Sequence, residues 1–395
     1  MKQNYVAWGR VKNCMRELTA YGNARKVQIG ADKVFDFSLG SPSAPVPEPV
    51  WEAMRQTLTA PDAHEKTPPE GLPALRAAIA EDLNRRYAMG LNTEEIQIVT
   101  GAAGGLAVCC QTLLQPGDEA IVPVPYFTEY RVFIEGAGGV TVEVPPCPDM
   151  QPDLDALAAA LTEKTRFVLV NTPNNPTGAI LSAASLKRLA DILRLAEARY
   201  GHPVYLVSDE PYRELVYDTD SIPCVMNAYE NTILCYSFSK SLSLPGERIG
   251  YLAVSPRAAD HDALIAALRE TALRLGYRAA PAMMQRALAG CVGMTADLSI
   301  YKENRDLLYN MLTSLGYDCI YPEGAFYLFV KAPIKDAKAF SDAAKKYELL
   351  LVPSDDFGIR GYLRLAYCVP TDTIRRAEPA FRALAAEYGL EAKPC

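Results

Sequence analysis

Histidine is scarce in this sequence: His64, His202 and His261 are the only three in 395 residues. The ten cysteines form no C-x-x-C pair, and only Cys109 and Cys110 are adjacent. A zinc site built from such ligands therefore has few candidates, and no metal is expected. The thiols read instead as buried, reduced side chains of a reducing compartment. No apolar run reaches the roughly 18 residues that a membrane helix needs. The opening stretch MKQNYVAWGRVKNCMREL lacks the apolar core of a secretory signal, so a cytoplasmic location is expected. Repeats and low-complexity tracts are missing too. Basic residues are the minority, 40 against 47 acidic, for a net charge of −7. That balance argues against nucleic acid as a partner, which calls for a basic surface.

What is present is a large apolar content, 49% of residues, enough to bury the core of a chain of two or three domains. DFSLGSPSAPVPEPV, from Asp36 to Val50, reads as a Pro-punctuated connector, and Leu72 to Tyr87 as a helix. Short apolar runs then recur at Glu95–Thr100, Glu119–Val124, Val140–Pro145, Thr165–Thr172, Pro203–Asp209, Thr232–Phe238 and Arg248–Ser255. Most are rich in Val and Ile and bounded by Gly, Pro, Asp or Asn, the pattern of strands buried on both faces. Helical patterns between them, at Leu154–Leu161 and Ala183–Tyr200, indicate an α/β domain with a mostly parallel sheet. After Pro256 the rhythm changes. Helices are predicted over Asp260–Leu275 and Ala280–Leu315, short strands at Gly324–Ala332, Leu349–Pro353 and Gly361–Val369, and a last helix over Thr373–Tyr388. This is the pattern of a smaller α+β domain, with the N-terminal segment packed on it.

Ligands of open α/β sheets bind beyond the carboxyl ends of the strands. The polar residues just after the apolar runs are Gly101–Gly105, NTPNNPTG (Asn171–Gly178), Asp209-Glu210-Pro211-Tyr212 and Ser237-Phe238-Ser239-Lys240. Each alone has an ordinary reading: a strand-to-helix turn, a surface loop, a helix-capping carboxylate, a solvated lysine. Together they supply an anion-sized Gly-rich loop, an amide, a carboxylate, a phenol, hydroxyls and an amine. Pyridoxal 5'-phosphate (PLP) needs this set. An amine must attach it and shuttle a proton, a carboxylate must face its pyridine nitrogen, donors must reach its O3', and N–H groups, a hydroxyl and a cation must hold its phosphate.

NTPNNPTG, SDEPYREL and SFSKSLSLPGERIGY, in this order, resemble the fold-type I, class I/II aminotransferases of the aspartate aminotransferase superfamily. The resemblance runs from DFSLGSP to GYLRLAYCV. It implies an α/β fold with a seven-stranded, mostly parallel sheet in a large PLP-binding domain, 45–285. A smaller α+β domain would comprise 1–44 and 286–395. It further implies that Lys240 carries the cofactor as a Schiff base, that Asp209 partners the pyridine nitrogen, and that Tyr212 and Asn175 reach O3'. Ser237 and Arg248 match the phosphate-binding hydroxyl and guanidinium, Ala102, Ala103 and Gly104 the phosphate loop, and Phe127 the aromatic over the ring. Arg364 matches the arginine that clamps the substrate carboxylate, with Gly40 and Asn175 beside it. The implied activity is transfer of an amino group between an L-amino acid and a 2-oxo acid, in a homodimer.

Three departures from the family pattern stand out. Lys66 occupies the place of a tyrosine that in the family reaches the phosphate of the neighbouring subunit's cofactor. As a point charge it could serve that phosphate or the substrate, or face solvent. Ala103 replaces a common Ser or Thr of the phosphate loop. Asp355 and Asp356 replace a Gly-rich PGSGFG stretch, and are expected either to favour a substrate with a distal cation, such as a diamino acid, or to cap a turn as solvated acids. Other fold-type I chemistries, a C–S lyase, a synthase or a decarboxylase, share the same frame. A PLP-binding transcriptional regulator would need an N-terminal helix-turn-helix domain, for which the segment before Asp36 is too short.

Overall fold

The computed structural model describes residues 3–10, 13–277 and 279–391. Seven strands form its main sheet: β1 (Ile96–Val99), β2 (Glu119–Pro123), β3 (Val140–Val144), β4 (Thr165–Asn171), β5 (Tyr205–Asp209), β6 (Thr232–Ser237) and β7 (Gly250–Val254). Their order is β1-β7-β6-β5-β4-β2-β3, and only β7 runs against the rest. The sheet is thus seven-stranded and mostly parallel, as the apolar runs predict. Alternate residues enter separate cores. Val168 and Val170 join the helices Pro73–Tyr87 and Ala183–Tyr200 on one face. Phe167 and Leu169 join Gly101–Leu113 and His261–Leu275 on the other. Both faces are therefore dry, which explains why the strands read as continuous rather than alternating apolar runs.

Because β1, β4, β5 and β6 share a direction, their carboxyl ends meet at one edge. Asn171, Asp209 and Cys235 lie side by side across it. Gly250 pairs with both Val99 and Ser237. A Cβ there would come within 2.2 Å of the Tyr236 carbonyl oxygen, so only glycine lets the three strands converge.

A second sheet, antiparallel throughout, has the order β10-β11-β9-β8, with β8 Asp318–Ile320, β9 Tyr327–Lys331, β10 Val352–Pro353 and β11 Tyr362–Ala366. It packs with helices Ser299–Ser314 and Thr371–Glu387 around a core that includes Phe37, Phe326, Phe340 and Phe381. The N-terminal segment joins this sheet's surroundings. Phe35–Asp36 pairs in parallel with Leu349–Leu350, and Leu18 and Val34 pack on Val352 and Phe357.

Two predicted elements differ. The helix expected over Ala280–Leu315 is two helices, Ala282–Leu288 and Ser299–Ser314. Gly290 and Gly293 fall in the interruption, where helix-disfavouring residues override the apolar spacing. The run Leu349–Pro353 divides at Leu351, with Leu349–Leu350 pairing to the N-terminal segment and Val352–Pro353 to β11. Among the described residues no helix is long and apolar enough to cross a membrane.

Candidate active site

The sheet edge receives its charged groups from both halves of the chain. β6 ends at Ser237, and the turn Phe238–Ser241 brings Lys240 back over the edge. Lys240 Nζ donates to the Gly40 carbonyl at 2.6 Å and lies 5.4 Å from the Phe326 ring centre. Burial pushes its pKa down to about 8, with Arg364 and Arg248 adding to the shift and Cys368 opposing it. A neutral, nucleophilic amine is thereby accessible near neutrality.

Asp209 closes β5 and is buried. Its Oδ2 accepts from the Tyr130 hydroxyl at 2.5 Å, while Oδ1 is buried without a partner. Burial raises its pKa to about 7, opposed by the Tyr130 hydrogen bond and reinforced by Glu210. Tyr212, three residues on, meets the Tyr327 hydroxyl at 2.9 Å. Burial holds its phenol well above the ordinary range.

The NTPNNPTG loop is tied down by its own amides. Asn171 Nδ2 donates to the Asp209 carbonyl at 2.8 Å, and the Asn175 N–H donates to Asn171 Oδ1 at 2.6 Å. Asn175 then accepts from Arg364 Nη1 at 3.1 Å, joining the main sheet to β11. Arg364 is 2% exposed. Its Nη2 donates to the Ser38 carbonyl at 2.7 Å and touches Met15 Sδ at 3.3 Å. The guanidinium lies over the Tyr327 and Phe357 rings, at 4.7 and 5.2 Å, and its Nε is buried without an acceptor. Gly40 passes so close that a Cβ on it would stand 2.0 Å from the Tyr327 hydroxyl.

An anion site is assembled at the far end of the edge. Helix Gly101–Leu113 points its N-terminus there, with Ala102 and Ala103 half-buried and Gly104 buried. Arg248 brings its guanidinium to within 3.0 Å of the Cβ position of Gly101. The Ser237 and Ser239 hydroxyls are 2.8 Å apart. Helix N–H groups, two hydroxyls and a guanidinium suit a phosphate. Phe127 is half-buried and stands edge-on to Tyr130 at 5.6 Å.

The structure therefore brings together Gly40, Ala102, Ala103, Gly104, Phe127, Asn175, Asp209, Tyr212, Ser237, Lys240, Arg248 and Arg364 from the two sheets and their loops. Lys66 is apart from them. It is exposed on a turn fastened by Arg286, which bonds Asp62 at 2.9 Å and the Glu65 carbonyl at 3.2 Å. Asp356 and Asp355 are engaged in the fold. Asp356 Oδ2 accepts from the Cys14 N–H at 3.0 Å, and Asp355 faces Arg360 at 3.9 Å. This geometry gives the diamino-acid expectation no support and fits a capping role. Sequence reasoning missed Tyr130, Tyr327 and Met15. Tyr130 lies three residues after Phe127, in the first turn of helix Glu129–Gly136, while nothing local marked Met15.

The residues fit PLP on two independent counts. The unpartnered Oδ1 of Asp209 needs a donor, which a protonated ring nitrogen is, and the cradle at the helix terminus needs an anion. The unpartnered Nε of Arg364 likewise needs an acceptor such as a carboxylate.

Known proteins share this arrangement of sequence and fold. The profile of the family described as Aminotransferase class I and II matches residues 32–380. The chain is 32% identical over 392 residues to the probable aspartate/prephenate aminotransferase of Thermus aquaticus, covering 94% of this chain and 97% of that one. It is 33% identical over 385 residues to the aspartate/prephenate aminotransferase of Thermus thermophilus, with the same coverage, 94% and 97%. An amino transferase from Eubacterium rectale superposes with a TM-score of 0.95 at 42% identity, covering 98% of this chain and 99% of that one. The Thermus thermophilus aspartate aminotransferase with maleate superposes at 0.85 and 28% identity, covering 96% and 98%. With the family profile spanning most of its length and these relatives aligned nearly end to end, the chain belongs to the class I and II aminotransferases.

Proposed function

We propose that this aminotransferase works with PLP attached through Lys240 and moves an amino group from an L-amino acid to a 2-oxo acid. One observation carries the reading: a half-buried lysine amine, a buried carboxylate with one unpartnered oxygen and a buried arginine with an unpartnered Nε gather at the carboxyl edge of the main sheet. When bound, PLP supplies an electron sink for the bonds at the substrate Cα. The remaining work falls to the chain. Asp209 would pair with the ring nitrogen, Tyr212 and Asn175 would serve O3', and Phe127 would cover the ring. Ala102, Ala103, Gly104, Ser237 and Arg248 hold the phosphate. Arg364, with Asn175 and Gly40, orients the α-carboxylate and so chooses the Cα bond to be broken. Lys240 would serve as the general base toward the substrate Cα proton and, once protonated, as the general acid that passes that proton on.

The reading includes a large domain at 45–285 and a small one from 1–44 with 286–395. It also includes a cytoplasmic homodimer, with Lys66 open to the neighbouring subunit's phosphate, to the substrate or to solvent. A visible absorption spectrum of the protein with PLP, taken before and after single amino acids are added, tests it. A band from lysine-bound cofactor that specific amino acids convert to the amine form supports the reading and names the donor class. A band that no amino acid converts moves the chemistry to a lyase, synthase or decarboxylase. Absence of the band overturns the assignment of Lys240.

A further inference from the structure

Among the described residues no cation stands beside Asp209. The residues level with it are Asn171 on β4 and Cys235 on β6. Asn171 spends its amide on the Asp209 backbone carbonyl. Glu210, next in the chain, is neutralised by Arg213 at 2.7 Å. Tyr212 is turned to Tyr327. Among the described residues, the one group that donates to the Asp209 carboxylate is the Tyr130 hydroxyl. Tyr130 is 1% exposed and held by aromatic neighbours, Tyr126 stacked at 6.3 Å and Phe127 edge-on at 5.6 Å. Its ring cannot swing away without opening the core, and burial keeps its phenol protonated and donating.

We propose that Tyr130 is a positioning residue of this site. Its hydroxyl favours the ionised form of Asp209 and fixes the carboxylate rotation, so that Oδ2 is tethered and Oδ1 is left for a protonated ring nitrogen. The inference rests on the PLP reading above and adds to it the group that prepares the carboxylate. A buried carboxylate lacking any donor would hold its proton more tightly still. It would then offer the ring nitrogen no negative charge. Tyr130 thus acts through Asp209 and touches no reacting atom.

The test uses Tyr130→Phe, which removes the hydroxyl and keeps the packed ring. Apoprotein affinity is measured for PLP and for its analogue with CH in place of the ring nitrogen. The variant is expected to lose roughly ten-fold in PLP affinity while binding the analogue as the wild type does. In the Asp209→Asn background, Tyr130→Phe is expected to change PLP affinity little, because the two residues act as one unit. In the apoprotein, carbon NMR of the Asp209 carboxyl is expected to titrate about one pH unit higher in the variant. Equal losses for PLP and the analogue would reduce Tyr130 to a packing residue and overturn the proposal, as would an unmoved Asp209 titration. Failure of wild-type apoprotein to bind PLP at all would instead bring down the cofactor reading, and this inference with it.

Discussion

Lys240 should destabilise the empty protein, and the size of that cost follows from its surroundings. Its pKa falls from 10.5 to about 8 in the fold, chiefly by burial. The folded state therefore binds its proton less tightly than the unfolded chain does. The penalty is complete below pH 8, where both states must carry the charge, and fades as pH rises from 8 to 10.5. At about 1.36 kcal/mol per unit, the drop from 10.5 to about 8 corresponds to roughly 3 kcal/mol at pH 7 and about half that at pH 9.5. Lys240 is only half-buried, so solvent screening makes these figures upper bounds. Lys240→Met removes the charge at similar length, but leaves the Gly40 carbonyl without its donor, which costs about 1 kcal/mol. The variant apoprotein should thus exceed the wild type by about 2 kcal/mol at pH 7, with no aminotransferase turnover. By pH 9.5 that lead should have nearly gone. Urea unfolding of both apoproteins at matched subunit concentration, at pH 7 and 9.5, reads the two differences. Other titrating groups cancel between the proteins. A lead that is independent of pH, or that grows with it, would refute the reasoning.

Arg364→Lys keeps the charge but loses the planar fork, so kcat/KM for amino acids should fall about 100-fold. Steady-state kinetics across an amino-acid panel should show this loss for every donor alike, because all share the α-carboxylate. Asp356→Ala removes the acceptor for the Cys14 N–H, a cap worth about 1 kcal/mol. Hydrogen exchange should quicken at the start of helix Cys14–Ile29, and KM should change more than kcat, since Met15 rests on Arg364.

The main sheet was legible because its inner strands are dry on both faces and each is ended by turn-forming residues. The runs from Ile96 to Val254 therefore announced themselves without any long-range information. The break at Ala289–Leu298 was passed over although Gly290 and Gly293 mark it, because apolar residues such as Cys291, Val292 and Met294 continue through it. The site residues that sequence could supply are those following strands, since strand direction alone gathers Asn171, Asp209 and Lys240 at one edge. What remained hidden are contacts between distant stretches. Tyr130 meets Asp209 across 79 positions, Tyr212 meets Tyr327 across 115, and Met15 meets Arg364 across 349. Such pairs depend on how helices and sheets settle on one another, and no local pattern encodes them. Asp356 illustrates the same point in reverse. Its acidity suggested a ligand, whereas the fold spends it on a backbone N–H 342 positions away.

The bond from Arg364 to Asn175 joins a strand of the small sheet to a loop of the large one, and each sheet has its own apolar core. An amino acid held by Arg364 at one end and by the cofactor site at the other would act as a removable crosslink between them. Loading should therefore change the cooperativity of melting as well as its midpoint. The empty chain can release its two cores in separate steps, while the loaded chain must give up both together, and the calorimetric and van't Hoff enthalpies should converge as the site fills.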